Sequence, residues 1–122
     1  MKKIIIVDDS ATLRKDLKKL LKPIKSIEII AEATDAESAL MHCDALKPDI
    51  MILDINLKNG SGIDVLEKMK KCPQSPITIM FTNYSNNTFR ATTKRLGADY
   101  FFDKTNDIEE LVATLTNLSS KQ

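Results

Sequence analysis

The sequence lacks the features that mark secreted, membrane-inserted or nucleic-acid-binding chains. It has no tryptophan, and its two cysteines, Cys43 and Cys72, lie far apart without a CxxC pattern. No apolar run approaches the roughly 20 residues of a membrane-spanning helix. The apolar run near the N-terminus stops at Asp8, short of the roughly 7–15 apolar residues of a signal peptide. The net charge of +1 gives no general attraction to nucleic acid or to a membrane surface. We therefore expect a cytoplasmic protein with reduced thiols that neither inserts into a membrane nor binds nucleic acid directly.

Length and uniform composition predict a single domain. The chain has 122 residues and contains no linker, internal repeat or low-complexity segment. A chain of this length is long enough to bury a substantial apolar core. We predict one domain over residues 1–122.

Five apolar, strand-like runs alternate along the chain with five segments of helical periodicity. The strand-like runs are 4–7, 27–33, 50–53, 77–81 and 100–102. Such alternation is typical of β-α-β units, which build a parallel sheet with helices on both faces. We therefore predict a flavodoxin-like α/β fold, a doubly wound parallel sheet of five strands in the order 2-1-3-4-5 with five helices.

Acidic residues follow two strands that this order places side by side. Asp54 comes directly after the third apolar run, and Asp8 and Asp9 come directly after the first. The carboxyl ends of adjacent strands flank the ligand-binding crevice in such sheets. Three carboxylates in one cleft repel each other, and hard oxygen ligands of this kind select Mg²⁺. The alternative is that Asp8-Asp9-Ser10 only caps the following helix; the match with Asp54 favours the metal site.

A hydroxyl and an ammonium group complete the predicted site. Thr82 ends the fourth strand and Lys104 ends the fifth. Each alone is an ordinary residue, a strand-end threonine or a solvated lysine. Together with Asp54 they suit phosphoryl transfer, whose transition state spreads negative charge over equatorial oxygens. We predict that Asp54 accepts a phosphoryl group.

This joint pattern resembles the receiver domain of two-component response regulators over essentially the whole chain. The matching segments are Val7-Asp8-Asp9-Ser10, Leu53-Asp54-Ile55-Asn56, Gly62, Phe81-Thr82-Asn83, Leu96-Gly97-Ala98-Asp99-Tyr100 and Phe101-Phe102-Asp103-Lys104. The resemblance implies phosphoryl transfer to Asp54 from a histidine kinase phosphohistidine, a phosphotransfer protein or a small phosphodonor. It also implies a downstream protein target, a monomer or a phosphorylation-dependent dimer, and a switch rather than an enzyme acting on other substrates.

The resemblance further assigns roles to single residues. Mg²⁺ would be held by Asp9, Asp54 and the backbone carbonyl of Asn56, with Asp8 acting mainly through water. Thr82 would bond the transferred phosphoryl group, and Lys104 would pair with it. Phe101 matches the aromatic residue that changes rotamer on switching. Because one phosphoryl group can shift only a weakly held element, we also predict that the face that changes comprises the helix at 88–96, the strand around Phe101 and the last helix.

The sequence departs from the family pattern at three positions. Lys58 stands where a proline often follows the acceptor aspartate, and Thr105 stands where a proline follows the lysine in a cis bond. Phe101 lacks the hydroxyl of the tyrosine that is common there. Because a cis bond before a non-proline residue costs about 2.5–4 kcal/mol, we predict a trans Lys104–Thr105 bond.

The alternatives are a receiver segment of a larger regulator, an interaction-only pseudo-receiver, a haloacid-dehalogenase-like phosphatase and a dinucleotide-binding module. The phosphatase family has a second aspartate two residues after its nucleophile, where this chain has Asn56. The dinucleotide-binding fingerprint of glycines is missing after the first strand. The segment 83–96, rich in polar residues and threonines, is predicted to be the least stable. His42 is expected to be an exposed surface residue, and Lys15, Lys18, Lys19 and Lys22 are expected to form a solvated basic face.

Overall fold

The computed structural model describes residues 1–120. Its elements are, in chain order, β1 (Lys2–Val7), α1 (Ala11–Leu21), β2 (Ile27–Ala33), α2 (Ala36–Leu46), β3 (Ile50–Leu53), α3 (Gly62–Met69), β4 (Ile77–Thr82), α4 (Asn87–Arg95), β5 (Tyr100–Asp103) and α5 (Ile108–Ser119). This confirms the predicted alternation of five strands with five helices.

All five strands belong to one parallel sheet in the order β2-β1-β3-β4-β5. The predicted flavodoxin-like topology is therefore correct. In the register of β1 with β3, Val7 lies opposite Leu53. The residues that follow these two strands, Asp8 and Asp54, consequently leave the sheet at the same level.

The sheet is covered by apolar side chains on both faces. One layer includes Ile4, Ile6, Ile50, Ile52, Ile79, Phe81, Leu111 and Leu115, together with α1 side chains. The other includes Ile5, Val7, Met51, Leu53, Met80, Val65, Leu66 and Met69. Every residue of β3 is buried, which explains why its sequence is continuously apolar rather than alternating. The central strands are thus rigidly held, and the loops at their carboxyl ends are positioned by them.

Side-chain caps determine where the helices begin. Ser10 accepts a hydrogen bond from the amide of Leu13 at 3.1 Å at the start of α1, and the side chain of Asp35 accepts from the amide of Ser38 at the start of α2. The side chain of Asn86 accepts from the amide of Phe89 at 2.9 Å, so α4 begins at Asn87, one residue earlier than predicted. Strand β5 likewise runs one residue further than predicted, and Lys104 follows it rather than ending it.

Two expectations about surface residues need correction. His42 is partly buried rather than exposed. Lys18 is not simply solvated, since its ammonium lies 2.8 Å from a carboxylate oxygen of Glu32 on β2. Lys15, Lys19 and Lys22 are exposed as predicted. Among residues 1–120, no helix has the length and apolar character needed to cross a membrane.

Candidate functional site

Three carboxylates meet where β1 and β3 end. One carboxylate oxygen from each of Asp8, Asp9 and Asp54 lies within 4.8 Å of the others. Asp8 and Asp54 are buried, whereas Asp9 is exposed. Asp8 accepts a hydrogen bond from the amide of Ser10 at 2.9 Å. Since Ser10 provides the side-chain cap of α1, helix capping does not occupy Asp9.

Lys104 bridges the two buried carboxylates. Its ammonium nitrogen lies 2.6 Å from Asp8 Oδ2 and 2.8 Å from Asp54 Oδ2. Burial raises the pKa of Asp8 above its usual value. The hydrogen bonds that Lys104 and Ser10 donate lower this pKa, but by less than burial raises it. Burial also disfavours the charged form of Lys104, but its hydrogen bonds to Asp54 and Asp8 outweigh this, and the pKa of Lys104 is raised. Lys104 is therefore a cation held beside the carboxylate oxygens of the site.

The backbone around Asp54 fixes its carboxylate. The amide of Asp54 donates to the carbonyl of Val7 at 3.0 Å, which ties the end of β3 to β1. Oδ1 of Asp54 accepts from the amide of Ile55 at 2.7 Å. Asn56 is exposed in the following loop and forms an isolated antiparallel bridge with Ser61. Asn56 lies two residues after Asp54 in the sequence. The role of its backbone carbonyl as a metal ligand stays a prediction.

Thr82 and Phe101 lie on the two strands beyond β3. Thr82 is fully buried at the end of β4, and its hydroxyl oxygen accepts from the amide of Tyr84 at 3.1 Å. The carbonyl of Thr82 accepts from the amide of Lys104 at 3.1 Å, which joins the ends of β4 and β5. Phe101 is half-buried against the apolar layer, and the guanidinium carbon of Arg90 lies 4.6 Å from the centre of its ring. The rotamer-switching role of Phe101 remains a prediction.

The sequence analysis assigned no role to two residues that lie next to the site. Arg14 of α1 donates to the carbonyl of Asp8 at 2.7 Å and to the carboxylate of Glu32 at 2.9 Å. Asp103 is buried next to Lys104 and accepts from the hydroxyl of Ser85. The one signal for Arg14 was that it is the single arginine in a lysine-rich helix. The signal for Asp103 was that it is an acidic residue at the end of β5.

The donor set fits a hard divalent cation. Its atoms are carboxylate oxygens, which suit Mg²⁺ or Mn²⁺ rather than the softer metals that prefer sulfur and imidazole. Asp9 is exposed, and its carboxylate is free of protein partners among the hydrogen bonds and ion pairs of the described residues, so it is available to such an ion. The site combines oxygen ligands, a buried threonine hydroxyl and a lysine cation at one edge of the sheet.

A family model described as "Response regulator receiver domain" matches residues 4–116. Among curated proteins, the chain is 36% identical over 115 residues to the sensory transduction protein LytT of Bacillus anthracis, covering 94% of this chain and 46% of that protein. It is 31% identical over 122 residues to protein-glutamate methylesterase/protein-glutamine glutaminase 2 of Koribacter versatilis, covering 98% of this chain and 32% of that protein. The chain therefore spans half or less of the length of these relatives.

Solved structures with the same fold include a DNA-binding response regulator of the LuxR family from Staphylococcus aureus. It superimposes with a TM-score of 0.89 at 25% identity, covering 98% of this chain and all of that one. The Mn²⁺-bound form of response regulator Rcp1 superimposes with a TM-score of 0.82 at 21% identity, covering 98% of this chain and 93% of that one. The second likeness concerns the fold alone.

Proposed function

This chain belongs to the response regulator receiver domain family, and from that premise we propose that it is a switch that accepts a phosphoryl group on Asp54. The observation that carries the proposal is the position of Lys104, whose ammonium lies 2.8 Å from Oδ2 of Asp54 and 2.6 Å from Oδ2 of Asp8. A cation beside the acceptor oxygen lowers the cost of bringing an anionic phosphodonor to a carboxylate.

In the proposed reaction, a carboxylate oxygen of Asp54 attacks the phosphorus atom of a phosphohistidine or a small phosphodonor. The bond between phosphorus and the leaving nitrogen or oxygen breaks as the acyl phosphate bond forms. The amide of Ile55, which donates to Oδ1 at 2.7 Å, holds the carboxylate in place. Lys104 then exchanges its contact with Oδ2 for one with the phosphoryl oxygens, and the hydroxyl of Thr82 bonds another of them.

Mg²⁺ fits the oxygen ligands of the site and would neutralise charge on the phosphoryl oxygens. We propose Asp9 and Asp54 as side-chain ligands, with the carbonyl of Asn56, and Asp8 acting through water. The exposure of Asp9 supports a direct contact, because its carboxylate is reachable from solvent. The buried Asp8 is already bonded to Lys104 and to the amide of Ser10, which supports the indirect role.

The partners we propose are a sensor histidine kinase or a phosphotransfer protein upstream and a protein target downstream. The output face would comprise α4, β5 and α5. We propose that this domain is monomeric or dimerises on phosphorylation, and that it catalyses no reaction beyond its own phosphorylation and dephosphorylation. The longer relatives support a candidate in which these residues are the receiver segment of a larger regulator.

Phosphorylation in vitro tests the proposal. Acetyl phosphate or phosphoramidate with Mg²⁺ should add one phosphoryl group, visible by mass spectrometry and removed by hydroxylamine. Asp54→Asn should abolish labelling, whereas Asp16→Asn, a matched change of an exposed aspartate on α1, should not affect it. Equal labelling of wild type and Asp54→Asn would contradict the assignment. Turnover of a generic phosphomonoester would instead favour a phosphatase.

A further inference from the structure

Asp103, at the end of β5, is a buried carboxylate to which the proposed phosphoryl chemistry assigns no role. Its Oδ1 accepts from the amides of Thr105 at 2.7 Å and Asn106 at 3.0 Å. Its Oδ2 accepts from the hydroxyl of Ser85. A buried carboxylate is costly unless its oxygens are hydrogen-bonded, and both oxygens of Asp103 are. The side chain therefore has a defined place and defined partners.

The two bonds through Oδ1 shape the backbone that follows Lys104. They form a turn in which an aspartate side chain accepts from amides two and three residues later. The Lys104–Thr105 bond is trans, as predicted. Thr105 has an amide hydrogen that a proline would lack, and Asp103 uses it. The departure from the family pattern at position 105 is thus matched by a local contact that holds the loop.

A second pair of bonds closes the base of the same turn. The amide of Asp103 donates to the carboxylate of Asp107 at 2.8 Å, and the amide of Asp107 donates to the carbonyl of Asp103 at 3.0 Å. The amide of Lys104 donates to the carbonyl of Thr82 at 3.1 Å. Lys104 therefore projects toward Asp54 from a backbone that is fixed on both sides.

The bond through Oδ2 joins this turn to the loop between β4 and α4. Ser85, which donates to Asp103, lies three residues after Thr82, and its carbonyl accepts from Arg90 Nε at 2.9 Å. The guanidinium of Arg90 lies 3.8 Å from the carboxylate of Asp107 and stacks on the ring of Phe101. A displacement of the loop after Thr82 must therefore either pull on Asp103 or break its bond to Ser85.

We propose that Asp103 is a positioning residue that sets the place of Lys104 and, through Ser85, couples it to the loop that follows Thr82. This rests on the proposed phosphorylation of Asp54. Asp103 touches neither the acceptor nor the phosphodonor. It acts by holding the backbone of Lys104 while the loop that follows Thr82, which contains Ser85, changes position.

A double-mutant cycle on the rate of labelling by phosphoramidate tests whether Asp103 sets the place of Lys104. Asp103→Ala should reduce the initial rate at saturating Mg²⁺ by about tenfold, because a small displacement of a catalytic cation strongly slows a reaction. Lys104→Ala should reduce it further. The double variant should be no slower than Lys104→Ala alone, since Asp103 acts through the lysine. Asp16→Ala, at an exposed aspartate of α1, is the control and should keep the wild-type rate.

Amide hydrogen exchange tests whether Ser85 couples Asp103 to the loop that follows Thr82. This test does not need the Asp103→Ala variant. Ser85→Ala keeps the turn formed by Oδ1 and removes only the link to the other loop. On adding beryllofluoride with Mg²⁺, wild type should change protection in both 83–90 and 104–107. Ser85→Ala should keep the first change and lose the second. Asp103→Ser, whose hydroxyl forms such turns more weakly than a carboxylate, should also slow labelling and provides a second measurement of the rate if Asp103→Ala does not fold.

The outcomes separate the two proposals. The role of Asp103 would be overturned, with Asp54 still the acceptor, by losses of rate that multiply in the double-mutant cycle or by an unchanged rate in an Asp103 variant that folds. A full exchange response in Ser85→Ala would overturn it as well. A wild-type chain that takes up no phosphoryl group would overturn the proposed function, and the role of Asp103 with it.

Discussion

Gly62 lies directly against the carbonyl oxygen of Asp54, so close that a Cβ atom at position 62 would overlap the Asp54 backbone. The amide of Gly62 also donates to the carbonyl of Ile55 at 2.7 Å. The start of α3 is therefore packed onto the backbone that carries the Asp54 carboxylate. Glycine is required there because of close approach, at the position eight residues after Asp54 that the family pattern marks.

Gly62→Ala should destabilise the protein and disturb the site together. The added methyl group cannot be accommodated by a flexible side chain, because its neighbours are backbone atoms. Overpacking of this kind typically costs about 1–3 kcal/mol of unfolding free energy. Urea denaturation measures the loss, and labelling by phosphoramidate should slow. Glu67→Ala, at an exposed position of the same helix, is the matched control and should change stability little. A fully stable, normally labelled Gly62→Ala would contradict this packing argument.

The fold was predictable because apolar runs and helical periods alternate without interruption. The run at 50–53 is continuously apolar because β3 is buried on both faces, and that burial places β3 inside the sheet. Asp8 and Asp54 were predictable for the same reason, since a residue that ends a parallel strand is placed by the strand itself. Element ends were less predictable, because they depend on single contacts such as the cap from Asn86 to Phe89.

Arg14 and Asp103 were not predictable because their roles depend on contacts between distant segments. Arg14 reaches the carbonyl of Asp8 only because α1 packs beside β2, where Glu32 holds the other side of its guanidinium. Asp103 is defined by the turn after β5 and by a serine 18 residues away. Neither relationship leaves a periodic signal. The half-buried position of His42 likewise depends on neighbours that no local pattern specifies.

Mg²⁺ should stabilise the folded protein, and Asp9→Ala should remove most of the gain. A ligand at about 100 times its dissociation constant adds about 2.7 kcal/mol to the unfolding free energy if it binds only the folded state. Without Mg²⁺, Asp9→Ala should alter stability by no more than about 0.5 kcal/mol, since Asp9 is exposed and the two buried carboxylates are already paired with Lys104.

Thermal unfolding with and without Mg²⁺ measures both effects of the Asp9 substitution. Asp64→Ala, at an exposed aspartate of α3, serves as the control and should retain the full Mg²⁺ gain. The same melting temperature for wild type with and without Mg²⁺ would count against the metal site. A full gain in Asp9→Ala would show that Asp9 is not a ligand.

Glu32 should contribute to the acid sensitivity of the fold. The ammonium of Lys18 and the guanidinium of Arg14 hold the pKa of this carboxyl below its usual range. The unfolded chain then binds the proton more readily, so the contribution is complete above the unfolded pKa of about 4.3. It is lost as the pH falls through the lower, folded pKa. Because the pair is partly exposed, we expect about 1 kcal/mol or less.

Urea titrations at several pH values between neutrality and acid test the Glu32 prediction. Glu32→Gln should lower stability at neutral pH and flatten the dependence on pH in the acid range. Glu28→Gln, at an exposed position of the same strand, is the control and should leave the curve unchanged. The same decrease in unfolding free energy at acid pH in wild type and Glu32→Gln would show that the ion pairs of Glu32 contribute nothing to stability.

We expect phosphorylation to move the element that has the smallest free energy of local unfolding. In the proposed switch, a phosphoryl group at Asp54 would gain a charge-assisted contact with Lys104 and a hydrogen bond from Thr82, each worth about 1–3 kcal/mol. That is enough to shift a marginal segment but not a packed core. The segment 83–96 begins in an exposed loop, and α4 has a single fully buried residue, Thr93.

Beryllofluoride with Mg²⁺ should therefore change amide exchange in residues 83–103 more than in α1 or α2. If the hydroxyl of Thr82 turns toward the phosphoryl group, its bond with the amide of Tyr84 breaks. The space beside β5 opens, and Phe101 can turn further inward. Thr82→Ala should still accept a phosphoryl group yet lose most of the exchange response, whereas Thr88→Ala, at an exposed threonine at the start of α4, should keep it. A change in amide exchange that is confined to α1 would contradict this switching model, even if Asp54 is phosphorylated.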